Sequence, residues 1–158
     1  MGLVLAVVLW ASAARSAEPP GAGNFLHKAV AGEHVGLAVS LMQGVIEAEG
    51  LTFIRIQHVG QGLQAKGYDR RPYKLVFFGD RQQFQRARQL DPRITPYLPF
   101  KITVYLGEQG KTHLSVMDPA VVGRMFNPRV QPLFREWSRT FRRILARTAE
   151  RVQARTFP

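Results

Sequence analysis

Cysteine is absent from this chain of 158 residues. Its absence excludes disulfide bonds, thiolate nucleophiles and cysteine-ligated metals. The HExxH, G-x-S-x-G and S-x-x-K patterns of zinc proteases, serine hydrolases and penicillin-binding enzymes are missing too. The four histidines stand singly and the carboxylates do not cluster, so we predict no metal site, no cofactor and no catalytic residue.

Acidic residues are scarce. The sequence holds 11 Asp and Glu against 22 Lys and Arg, which gives a formal net charge of +11. A field of this sign attracts polyanions such as nucleic acid, anionic lipid or an acidic protein. The charge therefore indicates the kind of partner and says nothing about the fold. The length of the chain suits a single domain, since domains usually have about 100–200 residues.

Long apolar runs are lacking as well. Leu3 to Trp10 has eight apolar residues, whereas a membrane-spanning helix needs about 20. Small residues and then Glu18-Pro19-Pro20 follow, which is the layout of a secretory signal peptide without its usual basic start. We predict a signal peptide over 1–17, a linker over 18–24, and a periplasmic or secreted protein with no transmembrane segment in the mature chain. An uncleaved N-terminus that acts as an anchor is the alternative.

Hydrophobic periodicity predicts the element order β-α-β-β-β-β-α. The predicted strands cover 25–31, 51–59, 73–78, 101–106 and 113–116, and the last two are predicted to form a β-hairpin around the turn 107–110. The first helix covers 33–49, and a weaker helical pattern covers 80–90. We therefore expect an α+β fold in which an antiparallel sheet carries two main helices on one face. Thr52, Ile54, Ile56 and His58 are predicted to share one face of their strand, and the glycine-rich segment 60–72 is predicted to be a loop.

The C-terminal segment, 128–158, is predicted to be a long amphipathic helix. Its apolar residues recur at three- and four-residue spacing: Val130, Leu133, Phe134, Trp137, Phe141, Ile144, Leu145 and Val152. Arginines recur every four residues from Arg135 to Arg155, so their row drifts about 40° per step and forms a diffuse coat around the solvent side. Only Glu136 and Glu150 are acidic here, so we expect the arginines to lack acidic partners. The candidate anion contacts are Arg135, Arg139, Arg142, Arg143 and Arg147.

Several short motifs follow one another along the first part of the chain. Gly50-Leu51 opens a strand that ends in His58, and then come Phe78-Gly79, Leu98-Pro99-Phe100-Lys101, Gly110-Lys111 and Asp118-Pro119. In order and spacing, this series over residues 25–127 resembles the domain-of-unknown-function 302 family. The resemblance implies a TATA-binding-protein-like β-α-β4-α domain, commonly a dimer, and brings no established activity.

The chain departs from the family pattern at two motifs. It has Phe78-Gly79-Asp80-Arg81 where the family usually reads Phe-Gly-Asn-Pro, and Tyr97-Leu98-Pro99-Phe100 where the family reads Asp-Leu-Pro-Leu. A family ligand site built on that Asn or Asp would be altered or lost here. The candidate ligand-binding residues are His58, Phe78, Gly79, Asp80, Lys101 and Asp118.

Three functions stay open at this point. The first, which we favour, is a non-enzymatic, exported binding or accessory domain, expected to be a homodimer, whose ligand is an anionic lipid, envelope polymer or acidic protein. The second is a small enzyme or small-ligand pocket in which His58, Gly79 and Lys101 converge. The third is a nucleic-acid-binding protein, which the charge favours and export disfavours; the aromatic and basic interleaving of known nucleic-acid modules is missing.

Overall fold

The computed structural model describes residues 22–68 and 71–156. The predicted signal peptide and most of the predicted linker lie outside the described residues. Within those residues the chain forms the following strands and helices, joined by turns and short 3-10 segments: β1 (Phe25–Ala31), α1 (Val35–Ala48), β2 (Thr52–Gln57), α2 (Val59–Gln64), β3 (Tyr73–Gly79), α3 (Arg81–Leu90), β4 (Phe100–Leu106), β5 (Lys111–Met117), α4 (Pro119–Val122) and α5 (Gln131–Thr156).

The strands form one five-stranded antiparallel sheet in the order β1-β5-β4-β3-β2. The predicted hairpin is confirmed: Thr103 of β4 pairs with Ser115 of β5, and residues 107–110 make the turn. Gly110 ends that turn at φ 66°, a left-handed conformation that glycine adopts without strain. α1 carries the chain across the sheet, so β1 and β2 lie at opposite edges.

The core lies between one face of the sheet and the helices α1 and α5, which also pack against each other. Buried and more exposed residues alternate along the strands because successive side chains of a pleated strand point to opposite faces. Val30, Ile102, Val104 and Leu114 are fully buried on the helix-covered face. The expected α+β arrangement, with two main helices on one face, is confirmed. Neither of these helices covers the opposite face of the sheet, which we call the open face of the described residues.

The predicted C-terminal helix is confirmed, and its apolar stripe is buried. All eight of its predicted apolar residues, from Val130 to Val152, are at most 6% exposed. They belong to the same core as the residues of the sheet and of α1, so the segments 25–127 and 128–158 share one core. The indole N–H of Trp137 donates a hydrogen bond of 2.6 Å to the side-chain oxygen of Gln83, which ties α5 to α3.

The predicted faces of β2 are wrong because the strand contains a β-bulge. The pairing of β2 with β3 shifts register between Phe53 and Arg55, which places an extra residue in β2. Phe53 and Ile56 consequently pack against the core, while Ile54 is 46% exposed. A shift of one residue reverses the two faces of a strand, and the alternating sequence gives no sign of it.

The segment 60–72, predicted to be a loop, starts within a helix. α2 covers Val59–Gln64 although it contains two glycines, which lower helix propensity. Close packing accounts for the first of these glycines: a Cβ atom added at Gly60 would lie 3.0 Å from backbone atoms of Arg71 and Tyr73. The glycine therefore lets α2 approach the start of β3. None of the described helices combines the length and apolar character that crossing a membrane requires.

Candidate functional site

A groove of about 760 Å³ lies at one end of the open face of the sheet. Tyr73, Thr103 and Tyr105 form part of its lining, together with residues of α2 and of the hairpin turn 107–110. Small-ligand sites usually have volumes of about 300–1,000 Å³. The groove is therefore large enough for a small organic molecule.

A row of ring side chains crosses this groove. Strand register places Tyr73 opposite Tyr105, and Tyr105 opposite His113. The rings of Tyr105 and His113 stack with their centroids 5.0 Å apart and their planes 15° apart. Gly107 leaves room for this row, because a Cβ atom there would strike the imidazole of His113. The row offers aromatic surface against which a flat ligand can pack.

A second imidazole lies beside the row, on β1. The Nε2 atom of His27 is 2.8 Å from the Nδ1 atom of His113, so one ring donates an N–H that the other accepts. Partial desolvation, and then the nearby His113, lowers the pKa of His27. Burial, and then the charge of Lys111, lowers the pKa of His113. Both rings therefore favour their neutral forms near neutral pH.

The three residues predicted to converge, His58, Gly79 and Lys101, do not come together. Gly79 pairs with Thr52 at the start of β2, whereas His58 follows the end of that strand, roughly 20 Å away at about 3.3 Å per residue. Lys101 pairs with Phe77 on the open face, about 14 Å from His58 by strand rise and spacing. Each of the three lines a different depression.

The Phe78-Gly79-Asp80 motif has packing and capping roles. Phe78 is 0% exposed in the core. Gly79 makes space for the ring of Phe84, which a Cβ atom at this position would strike. The carboxylate of Asp80 accepts a hydrogen bond of 2.8 Å from the backbone N–H of Gln83 and so caps α3. Gly79 and Asp80 also border a depression of about 550 Å³ at the protein surface.

Asp118, another candidate ligand contact, is engaged inside the protein. Its side chain is 6% exposed, and its carboxylate accepts hydrogen bonds from the N–H of Ala120 at 2.9 Å and from the guanidinium of Arg142 at 2.7 Å. Burial, and then the charge of Asp118, raises the pKa of Tyr97 above its usual range. Asp118 therefore caps α4 and holds Arg142 against the protein surface.

The expectation that the arginines of α5 lack acidic partners is wrong for Arg142, Arg143 and Arg147. The last two lie 2.8 Å and 2.9 Å from the carboxylate oxygens of Glu49, which follows α1. The side chain of Glu49 is only 7% exposed. Glu49 lies 94 and 98 residues from these arginines, so inspection of the helix sequence alone misses it.

Other exposed basic residues lie in the first turns of α5 and in the segments just before it. Arg124 and Arg129 lie in 3-10 turns that contact α5, and Arg135 and Arg139 lie one helical turn apart on its exposed side. Within the described residues none of these four arginines forms an ion pair. Met125, which lies between Arg124 and Arg129 in the sequence, is 66% exposed. We call these five residues the arginine surface.

Residues 27–148 match the family described as "Domain of unknown function DUF302". The chain belongs to this family. The crystal structure of an uncharacterized conserved DUF302 protein from Bacillus stearothermophilus is similar, with a TM-score of 0.65 and 20% sequence identity over 81% of this chain and 97% of that one. At this identity the likeness concerns the fold alone. No curated protein matches the chain.

The departures of this DUF302 chain from the family pattern preserve local structure. Asp80 stands at the N-cap of α3, a position that Asp and Asn serve equally well. Arg81 is the first residue of that helix, where proline is favoured but not required. Tyr97 packs between Phe100 and Phe134, with ring centroids 5.9 Å and 5.6 Å away. These motif positions serve the fold and do not by themselves mark a ligand site.

The groove residues Tyr73, Tyr105 and His113, and the neighbouring His27, are not among the candidates from the sequence. The sequence contains part of the information needed to find them, because the alternation in the hairpin puts Tyr105 and His113 on the face opposite the apolar residues. The missing part was the pairing of β1 with β5, which joins residues 86 apart.

Proposed function

We propose that this DUF302 protein is a non-enzymatic, exported binding domain that docks on an anionic surface through the arginine surface. The observation that carries the proposal is the uneven pairing of the arginines. Arg142, Arg143 and Arg147 are held by buried carboxylates, whereas the four arginines of the arginine surface face solvent. The net charge of +11 supports an anionic partner.

A lipid head-group layer suits this arrangement better than a small anion. Each basic residue close to an anionic leaflet contributes about 1 kcal/mol. The exposed side chain of Met125 follows Arg124 directly in the chain, and apolar side chains beside basic ones favour insertion at the membrane interface. Export, through the predicted segment 1–17, would bring the domain to an envelope membrane.

The test compares two variants with the same loss of charge. Arg135→Gln with Arg139→Gln removes part of the arginine surface, whereas Arg151→Gln with Arg155→Gln removes exposed arginines from the other end of α5. In co-sedimentation with phosphatidylglycerol vesicles, the first pair should weaken binding about 30-fold, since two contacts are worth about 2 kcal/mol. The second pair should weaken it less. An equal loss in both variants would contradict a localised surface.

We propose, as a second candidate, that the groove binds a small molecule with a flat ring. The supporting observation is the aromatic row of Tyr73, Tyr105 and His113 beside a volume of about 760 Å³. An anionic anilinonaphthalene dye is a suitable probe, because its fluorescence rises on transfer to an apolar site. Tyr105→Ala should weaken dye binding, and Phe25→Ala, on the same face but outside the groove, should not. Unchanged binding in Tyr105→Ala would remove this candidate.

A further inference from the structure

Two ring nitrogens from neighbouring strands converge on the open face of the sheet. Strand register pairs His27 with Ser115 and His113 with Ala29, so the two histidines are diagonal neighbours. The Nε2 atom of His27 and the Nδ1 atom of His113 are 2.8 Å apart. We propose that His27 and His113 form a binding site for a late first-row divalent cation, such as Cu²⁺, Ni²⁺ or Zn²⁺. The ion takes the place of the proton between the two rings, and that proton moves to the other nitrogen of its own ring, so that both imidazoles stay neutral.

The distance between the nitrogens suits this exchange. Zinc–imidazole bonds are about 2.0–2.1 Å long, so two nitrogens on a tetrahedral ion lie about 3.3 Å apart. The observed separation of 2.8 Å would have to open by about half an ångström, a change within reach of small side-chain rotations. Imidazole is also the side chain that Zn²⁺, Ni²⁺ and Cu²⁺ bind well.

The protonation and orientation of the rings fit the same role. A metal binds the neutral imidazole, and the pKa of each ring is lowered by burial and a neighbouring group. His113 is held in place by stacking on Tyr105 and by the close approach of Gly107. Because the ring of His113 is already positioned, metal binding costs less conformational entropy.

The proposed site is accessible and incomplete on the protein side. His27 is exposed on the edge strand β1, so an ion can reach the pair from solvent. Within the described residues no third histidine, cysteine or carboxylate joins it, and water or a ligand would fill the remaining positions, as in metal sites that keep an open position. His113 also lines the groove, so a bound ion would face a groove ligand. The site does not depend on the arginine surface.

The positive charge of Lys111 weakens cation binding at the proposed site. Lys111 lies on the same face of β5 as His113, and its charge lowers the pKa of that ring. The same repulsion acts on a bound metal ion. Lys111→Gln should therefore tighten metal binding, a result that a purely structural histidine pair would not produce.

The experiment titrates the full, chelator-treated chain with Cu²⁺ and follows binding by calorimetry and electron paramagnetic resonance. We expect one ion per chain and nitrogen couplings from two imidazoles. His27→Gln and His113→Gln should each weaken binding by more than about tenfold, at least as much as removal of an outer-shell partner does. His34→Gln and His58→Gln are matched controls, since they remove the other two of the four histidines, and they should bind like the unaltered chain.

The outcomes are distinguishable. Because His27 is exposed, His27→Gln should fold, which circular dichroism checks before the titration. No Cu²⁺ binding by the unaltered chain overturns the proposal. Binding that survives in both His27→Gln and His113→Gln, or that disappears in His34→Gln or His58→Gln, overturns it too. Wild-type binding with loss in the first two variants alone supports it.

Discussion

Truncation of Phe100 should destabilise the fold more than any change on the open face of the sheet. Phe100 is 1% exposed, and its ring lies 4.7 Å from Trp137, 5.0 Å from Phe84 and 5.0 Å from Phe141, in edge-on contacts. Phe→Ala changes in cores cost about 3–5 kcal/mol, and these aromatic contacts place Phe100→Ala near the upper value. Such a loss is comparable with the total stability of a small protein, about 5–15 kcal/mol.

Urea unfolding followed by tryptophan fluorescence measures the effect. Phe100→Leu keeps most of the buried apolar volume and loses the ring contacts, so it should cost about 1–2 kcal/mol. Phe25→Ala is the matched control: the same substitution on the other face, at a residue 48% exposed, should change the unfolding free energy by less than about 1 kcal/mol. If Phe100→Ala cost no more than Phe25→Ala, the assignment of the core to the helix-covered face would be refuted.

Two further predictions concern glycine positions and pH. Gly79→Ala should destabilise the protein by about 1–3 kcal/mol, because the added methyl group would overpack against Phe84. Gly36→Ala, in α1 with open space around it, should be neutral or stabilising by up to about 1 kcal/mol. Equal changes of the unfolding free energy in urea would contradict this prediction. Because the pKa values of His27 and His113 are lowered in the folded state, the stability they contribute is present above their unfolded pKa and is lost as pH falls through the folded values. Unfolding free energies at about pH 7.5 and about pH 5 should differ less in His27→Gln than in the unaltered chain; an unchanged difference would show that the pair does not titrate as described.

Local patterns predicted the elements that one segment specifies alone. The apolar stripe of α5 is read directly from its spacing, and each of its members from Val130 to Val152 is buried. The hairpin follows from alternation on both sides of a glycine-containing turn. Gly50, just beyond the first helix, has φ 75°, the left-handed conformation expected of a residue that ends a helix.

Features that depend on distant residues were not predicted. The bulge in β2 is a property of its pairing with β3, and the close packing of α2 at Gly60 is against the start of β3. The buried carboxylates that hold Arg142, Arg143 and Arg147 come from outside the helix. For the same reason the groove differs from the site predicted from the sequence. The motif residues stabilise the fold, whereas the groove is formed by strands that are distant in sequence and adjacent in the sheet.

The central claim, attraction to an anionic surface, is tested most directly by the salt dependence of vesicle binding. The unaltered chain is titrated with phosphatidylglycerol vesicles and with neutral phosphatidylcholine vesicles, from about 0.01 M to about 1 M salt, a range over which the Debye length falls from about 30 Å to about 3 Å. We expect binding to the anionic vesicles alone and a steep loss of affinity as salt rises. Equal binding to both lipids, or affinity for the anionic vesicles that does not change with salt, would contradict the claim.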